Sequence, residues 1–92
     1  MGFTATLKEK VQLPGGQVRE HYHWAADGGT TTGNIVSDTT IQPEIRKIRE
    51  FGMSSDSDAA TIAIATDIGP TTVKLTFTAN DTGDAFIVGP AA

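Results

Sequence analysis

His21 and His23 are the only histidines in the chain and stand two residues apart. On a strand that spacing puts both rings on one face, within reach of a single metal ion. A structural zinc site needs four ligands and a catalytic one needs three, so with no cysteine and no third histidine the pair is incomplete. Without a metal, the two rings join Arg19 as a solvated or partner-facing surface. The other oxygen-rich candidates are Asp56, Asp58, Asp67, Asp81 and Asp84, all in residues 51–92, which would suit calcium. Their spacing matches no EF-hand loop. Asn80-Asp81-Thr82-Gly83-Asp84 reads as a turn whose Asx side chains bond their own backbone. Asn80-Asp81-Thr82 also fits a glycosylation sequon, but the first residues do not read as a secretory leader, so a tight turn is the expectation there.

Catalysis finds no constellation. There is no Gly-x-Ser-x-Gly elbow for a nucleophile and no glycine-rich loop ahead of a Lys-Ser or Lys-Thr pair for a phosphate. A carboxylate pair could serve a glycosidase, but a chain of 92 residues leaves little room for a deep cleft. The expectation is a non-enzymatic protein with no cofactor and no metal. Tyr22 and Trp24 remain as a possible aromatic platform for a sugar, which makes a free-standing carbohydrate-binding β module the alternative function. Their shared parity with Val18 favours burial in the core instead.

These residues must be positioned by a single small domain spanning residues 1–92. Folding such a chain hides only roughly 60–65% of its unfolded surface, so the core is thin and a partner surface would add stability by mass action. The net charge of −4 is unevenly spread. Residues 1–50 hold six basic and six acidic side chains, whereas Lys74 alone opposes five aspartates in residues 51–92. The one dense basic run, Arg46-Lys47-Arg49, is flanked by Glu44 and Glu50, which argues against a nucleic-acid face. No run of about 18 apolar residues predicts a membrane span, and the first residues do not read as a secretory signal, so synthesis in a cytoplasm is expected.

The periodicity is that of strands. From Phe3 to Leu13 the odd positions are Phe3, Ala5, Leu7, Glu9, Val11 and Leu13, an apolar face broken only by Glu9. Pro14-Gly15-Gly16 turns the chain into a second strand with Val18, Tyr22, Trp24 and Ala26 on one face and Arg19, His21 and His23 on the other. Asp27-Gly28-Gly29 is a second turn, and Thr30 to Ser37 predicts a short strand. Thr39 to Gly52 admits two readings. Pro43, Ile45, Ile48 and a terminating Gly52 suit a short helix, whereas period two groups Ile45, Lys47, Arg49, Phe51 and Met53 on a strand. Ser54 to Ala59 reads as a polar loop tip, and Thr61 to Ile68 alternates again. After Gly69-Pro70, Val73, Leu75 and Phe77 form the clearest strand, and Ala85 to Val88 forms the last. Six to eight short strands predict an antiparallel β-sandwich or jelly-roll-like barrel.

The pattern as a whole resembles the small head or decoration proteins of tailed bacteriophages. The resemblance rests on Thr- and Ala-rich alternating strands, the Ile45-Arg46-Lys47-Ile48 to Met53 segment ahead of a Ser/Asp loop, and the closing Val73 to Gly89 with its Asn80-Asp81-Thr82-Gly83-Asp84-Ala85-Phe86 turn and strand. It implies a virion structural subunit, synthesised in a host cytoplasm, that binds copies of itself and a larger lattice such as a major capsid protein. Neither nucleic acid nor membrane is an expected partner. Phe3, as part of an N-terminal arm, and Arg46, Lys47 and Arg49 are the expected assembly residues, because a basic strip beside an acidic remainder offers complementary surfaces.

Overall fold

The computed structural model describes residues 2–56 and 64–91, with backbone alone for 64–68. Among these residues there is no helix, and seven strands run in order: β1 (Gly2–Leu13), β2 (Gln17–Asp27), β3 (Thr32–Val36), β4 (Glu50–Ser55), β5 (Ile64–Gly69), β6 (Thr72–Thr76) and β7 (Thr82–Pro90). Every ladder is antiparallel. The strands form two sheets, β1-β2-β7-β4 and β3-β6-β5. The chain is thus a small all-β sandwich, as the alternation predicts. The expected loop tip begins later than the sequence suggests, since Ser54 and Ser55 still pair with Asp84 and Gly83. Asp56 follows β4 with its N–H donating to Thr82 O at 2.8 Å, whereas residues 57–59 of that tip and 61–63 of the Thr61 to Ile68 alternation lie outside the described residues.

The core lies between the sheets and follows the period-two faces. Val18, Tyr22, Trp24 and Ala26 of β2 and Ala85 and Ile87 of β7 meet Ile35 of β3 and Val73, Leu75 and Phe77 from β6 and the residue beyond it. The Trp24 ring is fully buried and stacks on Phe77 at 4.5 Å, with an interplanar angle of 25°. Phe3 completes this aromatic stack, 5.7 Å from Phe77 and 6.3 Å from Trp24. It sits within β1, paired with Ala26, so its ring closes one end of the core and is not carried on a free arm. The hairpin turns use glycine where the backbone requires positive φ, at Gly15 and Gly16 between β1 and β2 and at Gly28 and Gly29 after β2.

A bulge in β1 changes which residues face inward. Leu7 pairs with Tyr22, but Glu9 pairs with His21, so Lys8 is the extra residue. Before the bulge odd residues face the core. Beyond it the parity reverses: Glu9, Val11 and Leu13 lie opposite the outward-facing His21, Arg19 and Gln17, and Lys10 turns in. The single apolar face expected from Phe3 to Leu13 is therefore two half-faces, and Glu9 interrupts neither.

Of Thr39 to Gly52, which the sequence left open between helix and strand, residues 50–52 take the strand form as the start of β4 and residues 39–49 take neither. Residues 37–49 cross from one sheet to the other as irregular chain, with a cis Gln42–Pro43 peptide, before β4 starts at Glu50. Ile45 and Ile48 are both buried against the end of the sandwich. The amide groups of Arg46, Ile48 and Arg49 donate to Pro90 O, Pro70 O and Val88 O at 2.8, 2.6 and 2.8 Å. Their partners are thus other segments of the sandwich rather than the preceding turn of a helix, which is why no helix forms.

Candidate interaction surface

Arg46, Lys47 and Arg49 stand exposed at one end of the sandwich, interleaved with the buried Ile45 and Ile48. Their side chains form no ion pair among the described residues. The backbone beneath them is tightly held: besides the three amide bonds above, Ile45 bridges to Ala91, and Lys47 O lies directly over Gly89, where any Cβ would collide with it. The strip is therefore three exposed cations on a tightly held backbone. At the opposite end, where β2 finishes, β7 begins and β4 finishes, stand Asp27, Asp56 and Asp81. Asp81 is largely structural, accepting from the Ser55 hydroxyl and from Thr82 N at 2.8 Å.

A buried ionic network holds the start of the crossing segment. Lys10, turned inward by the bulge, has a side chain 5% exposed and meets the fully buried Glu20 Oε2 at 3.2 Å and Asp38 Oδ2 at 3.0 Å. Its ammonium also donates to Ile41 O. Glu20 Oε1 accepts from the Tyr22 hydroxyl at 2.6 Å and from Asp38 N at 2.9 Å. Among the described residues Glu20 Oε2 has no hydrogen-bond donor of its own and relies on the Lys10 charge. Two buried opposite charges are tolerable only with such extensive pairing. Sequence reading missed this network, although Glu20 shares the inward parity of Val18 and Tyr22; the signal was a charged residue inside an apolar period.

The network sets a pH dependence. Asp38 is held well below the usual carboxylate range, first by the Thr40 hydroxyl, then by Ile41 N–H and Lys10. Tyr22 is pushed above the usual phenol range, first by burial and then by its bond to Glu20. A lowered acid stabilises the fold above its unfolded value of about 3.9 and loses that contribution as pH falls; a raised phenol stabilises below about 10 and loses it as pH rises. The urea midpoint, followed by Trp24 fluorescence, is accordingly expected to fall below about pH 4 and above about pH 10. Asp38→Asn should make the acid limb shallower and Tyr22→Phe the alkaline one.

The outer face of the four-stranded sheet carries the histidines. Register aligns Thr6, His23, Asp84 and Ser54 in one row and Glu9, His21, Phe86 and Gly52 in the next. Asp84 Oδ1 lies 3.2 Å from His21 Nε2 and 3.6 Å from His23 Nδ1. The Arg19 guanidinium lies 5.4 Å above the Phe86 ring, within cation–π range. Arg19, His21, Ser54, Asp84 and Phe86 line a depression of about 210 Å³, below the roughly 300–1,000 Å³ of small-molecule pockets. No group of three or more histidine or carboxylate side chains is arranged to hold a metal among the described residues. Tyr22 and Trp24 are 6% and 0% exposed, so neither offers a ring face to a sugar.

Comparison with family models, with curated proteins and with solved structures gives no significant match.

Proposed function

We propose that this protein is a non-enzymatic structural subunit that acts by protein–protein assembly, as a small capsid decoration or head protein of a tailed bacteriophage. The observation that carries the assembly reading is the Arg46, Lys47 and Arg49 strip: three exposed cations on backbone pinned by Ile45, Ile48 and bonds to Pro70, Val88 and Pro90. A backbone already ordered before contact spares the cost of ordering that segment on docking, and the cations it carries set register against an acidic partner surface. The virion setting is supported by the resemblance in strand composition and turn pattern. Its partners are copies of itself and an acidic face of a larger protein lattice.

The double substitution Arg46→Glu/Arg49→Glu is expected to abolish co-sedimentation with the purified particle while leaving the melting midpoint nearly unchanged. Exposed charges contribute only about 0–1 kcal/mol per pair to a monomer, yet reversed charges at a docking surface repel the partner. A wild-type chain that never co-sediments with a shell would overturn the docking reading.

A further inference from the structure

We infer that two copies of this chain pair through β1, edge to edge about a two-fold axis centred on Ala5, joining their four-stranded sheets into one. The inference deepens the assembly reading by naming the contact between copies. It starts from the direction of backbone groups. Ala26 N–H donates to Asp81 O, on the β7 side of β2. By the alternation of an antiparallel ladder, Trp24 and Tyr22 also direct their backbone groups to β7, while Ala25 and His23 direct theirs to β1. Ala25 and His23 pair with Thr4 and Thr6. The N–H and C=O of Phe3, Ala5 and Leu7 therefore face away from β2, at the edge of the sheet order β1-β2-β7-β4 that no other described strand pairs with.

The edge is self-complementary. Phe3-Thr4-Ala5-Thr6-Leu7 reads as apolar, Thr, Ala, Thr, apolar in either direction. Antiparallel pairing centred on Ala5 sets Phe3 opposite Leu7 of the second copy, Ala5 opposite Ala5, and Thr4 opposite Thr6. Self-complementarity of this kind is what an isologous contact requires. Three hydrogen-bonded pairs exchanging two bonds each give about six backbone bonds. The half-buried Phe3, Ala5 and Leu7 would be covered on the inner side, and exposed Thr4 and Thr6 would form cross-strand pairs on the outer one. The bulge at Lys8 marks the end of the flat run, which places the centre at Ala5. The other edge of this sheet, β4, reads Glu50-Phe51-Gly52-Met53-Ser54-Ser55 and has no such symmetry.

Sedimentation velocity over a concentration series should show a species of twice the 9.7 kDa chain mass. Thr4→Lys/Thr6→Lys places two like-charge pairs across the axis and should weaken the dimer on the order of tenfold or more. Thr4→Lys/Thr6→Glu should restore it, because position 4 of each copy meets position 6 of the other. Both sites are exposed, and unchanged Trp24 fluorescence would show that the fold survives. In a chain without cysteine, Thr4→Cys/Thr6→Cys should oxidise to a covalent dimer while Thr4→Cys alone should not. A wild-type monomer at every concentration overturns the inference, as does a dimer that Thr4→Lys/Thr6→Lys leaves intact. Arg46→Glu/Arg49→Glu should leave this dimer unchanged, so a wild-type chain that dimerises but never co-sediments with a shell counts against docking alone.

Discussion

Lys10→Met is expected to destabilise the fold by about 3–5 kcal/mol, the cost of removing one partner from a buried ion pair. Glu20 is fully buried, and Lys10 is the cation within 3.2 Å of its Oε2. Without that ammonium the carboxylate keeps the Tyr22 hydroxyl and Asp38 N–H on Oε1 only. A small domain has roughly 5–15 kcal/mol in total, so much of the population would unfold at modest urea. The double variant Lys10→Met/Glu20→Gln should recover most of the loss, since a neutral amide oxygen still accepts those two bonds and the fully buried site no longer holds a charge, while Asp38 keeps the Thr40 hydroxyl and Ile41 N–H. Urea melts of the two variants decide it. If the double variant is no more stable than Lys10→Met, the penalty lies in lost packing of the lysine stem rather than in the orphaned charge.

Trp24→Ala is expected to cost about as much, roughly 3–5 kcal/mol, by opening a cavity at the centre of the aromatic stack. Trp24 touches both Phe77 and Phe3, so its removal would loosen the end of the core where β1 closes over β3. Its indole N–H donates to Asp84 O at 3.1 Å. Trp24→Phe should retain the stack and lose chiefly that bond, about 0.5–1.5 kcal/mol, together with part of the buried ring area. Thermal unfolding followed by circular dichroism separates the two variants. Equal losses for both would place the energy in the indole hydrogen bond and not in the stack.

The basic strip depends on the same packing, which links stability to function. Lys10 fixes Asp38 and Ile41, and Ile45 and Ile48 anchor the chain between and beside the three cations. A variant that releases the crossing segment would blur the docking surface even where the sheets remain folded. Charge reversal at the exposed positions acts the other way, changing the surface while leaving the anchors in place.

The strands and their inward faces were legible from residue order alone wherever period two ran unbroken. Val18, Tyr22, Trp24 and Ala26 point in as their parity requires, and Val73, Leu75 and Phe77 do likewise, because a strand buried on one side must place alternate residues inside. The turns at Gly15-Gly16 and Gly28-Gly29 were equally legible, since glycine adopts their positive φ without strain. The exposure of Arg46, Lys47 and Arg49 matched their charge. Tertiary structure alone decided the rest. The bulge at Lys8 depends on how β1 registers against β2, and it reverses the parity that local spacing implies, bringing Lys10 under Glu20. Thr39 to Gly52 was ambiguous because the amides of Arg46, Ile48 and Arg49 bond to Pro90, Pro70 and Val88, partners up to 44 positions away that no local window contains. The meeting of His21 with Asp84, 63 residues apart, likewise exists only because β2 and β7 lie side by side. Periodicity reports which face of an element is apolar; which elements become neighbours, and in what register, is set by burial summed over the whole chain.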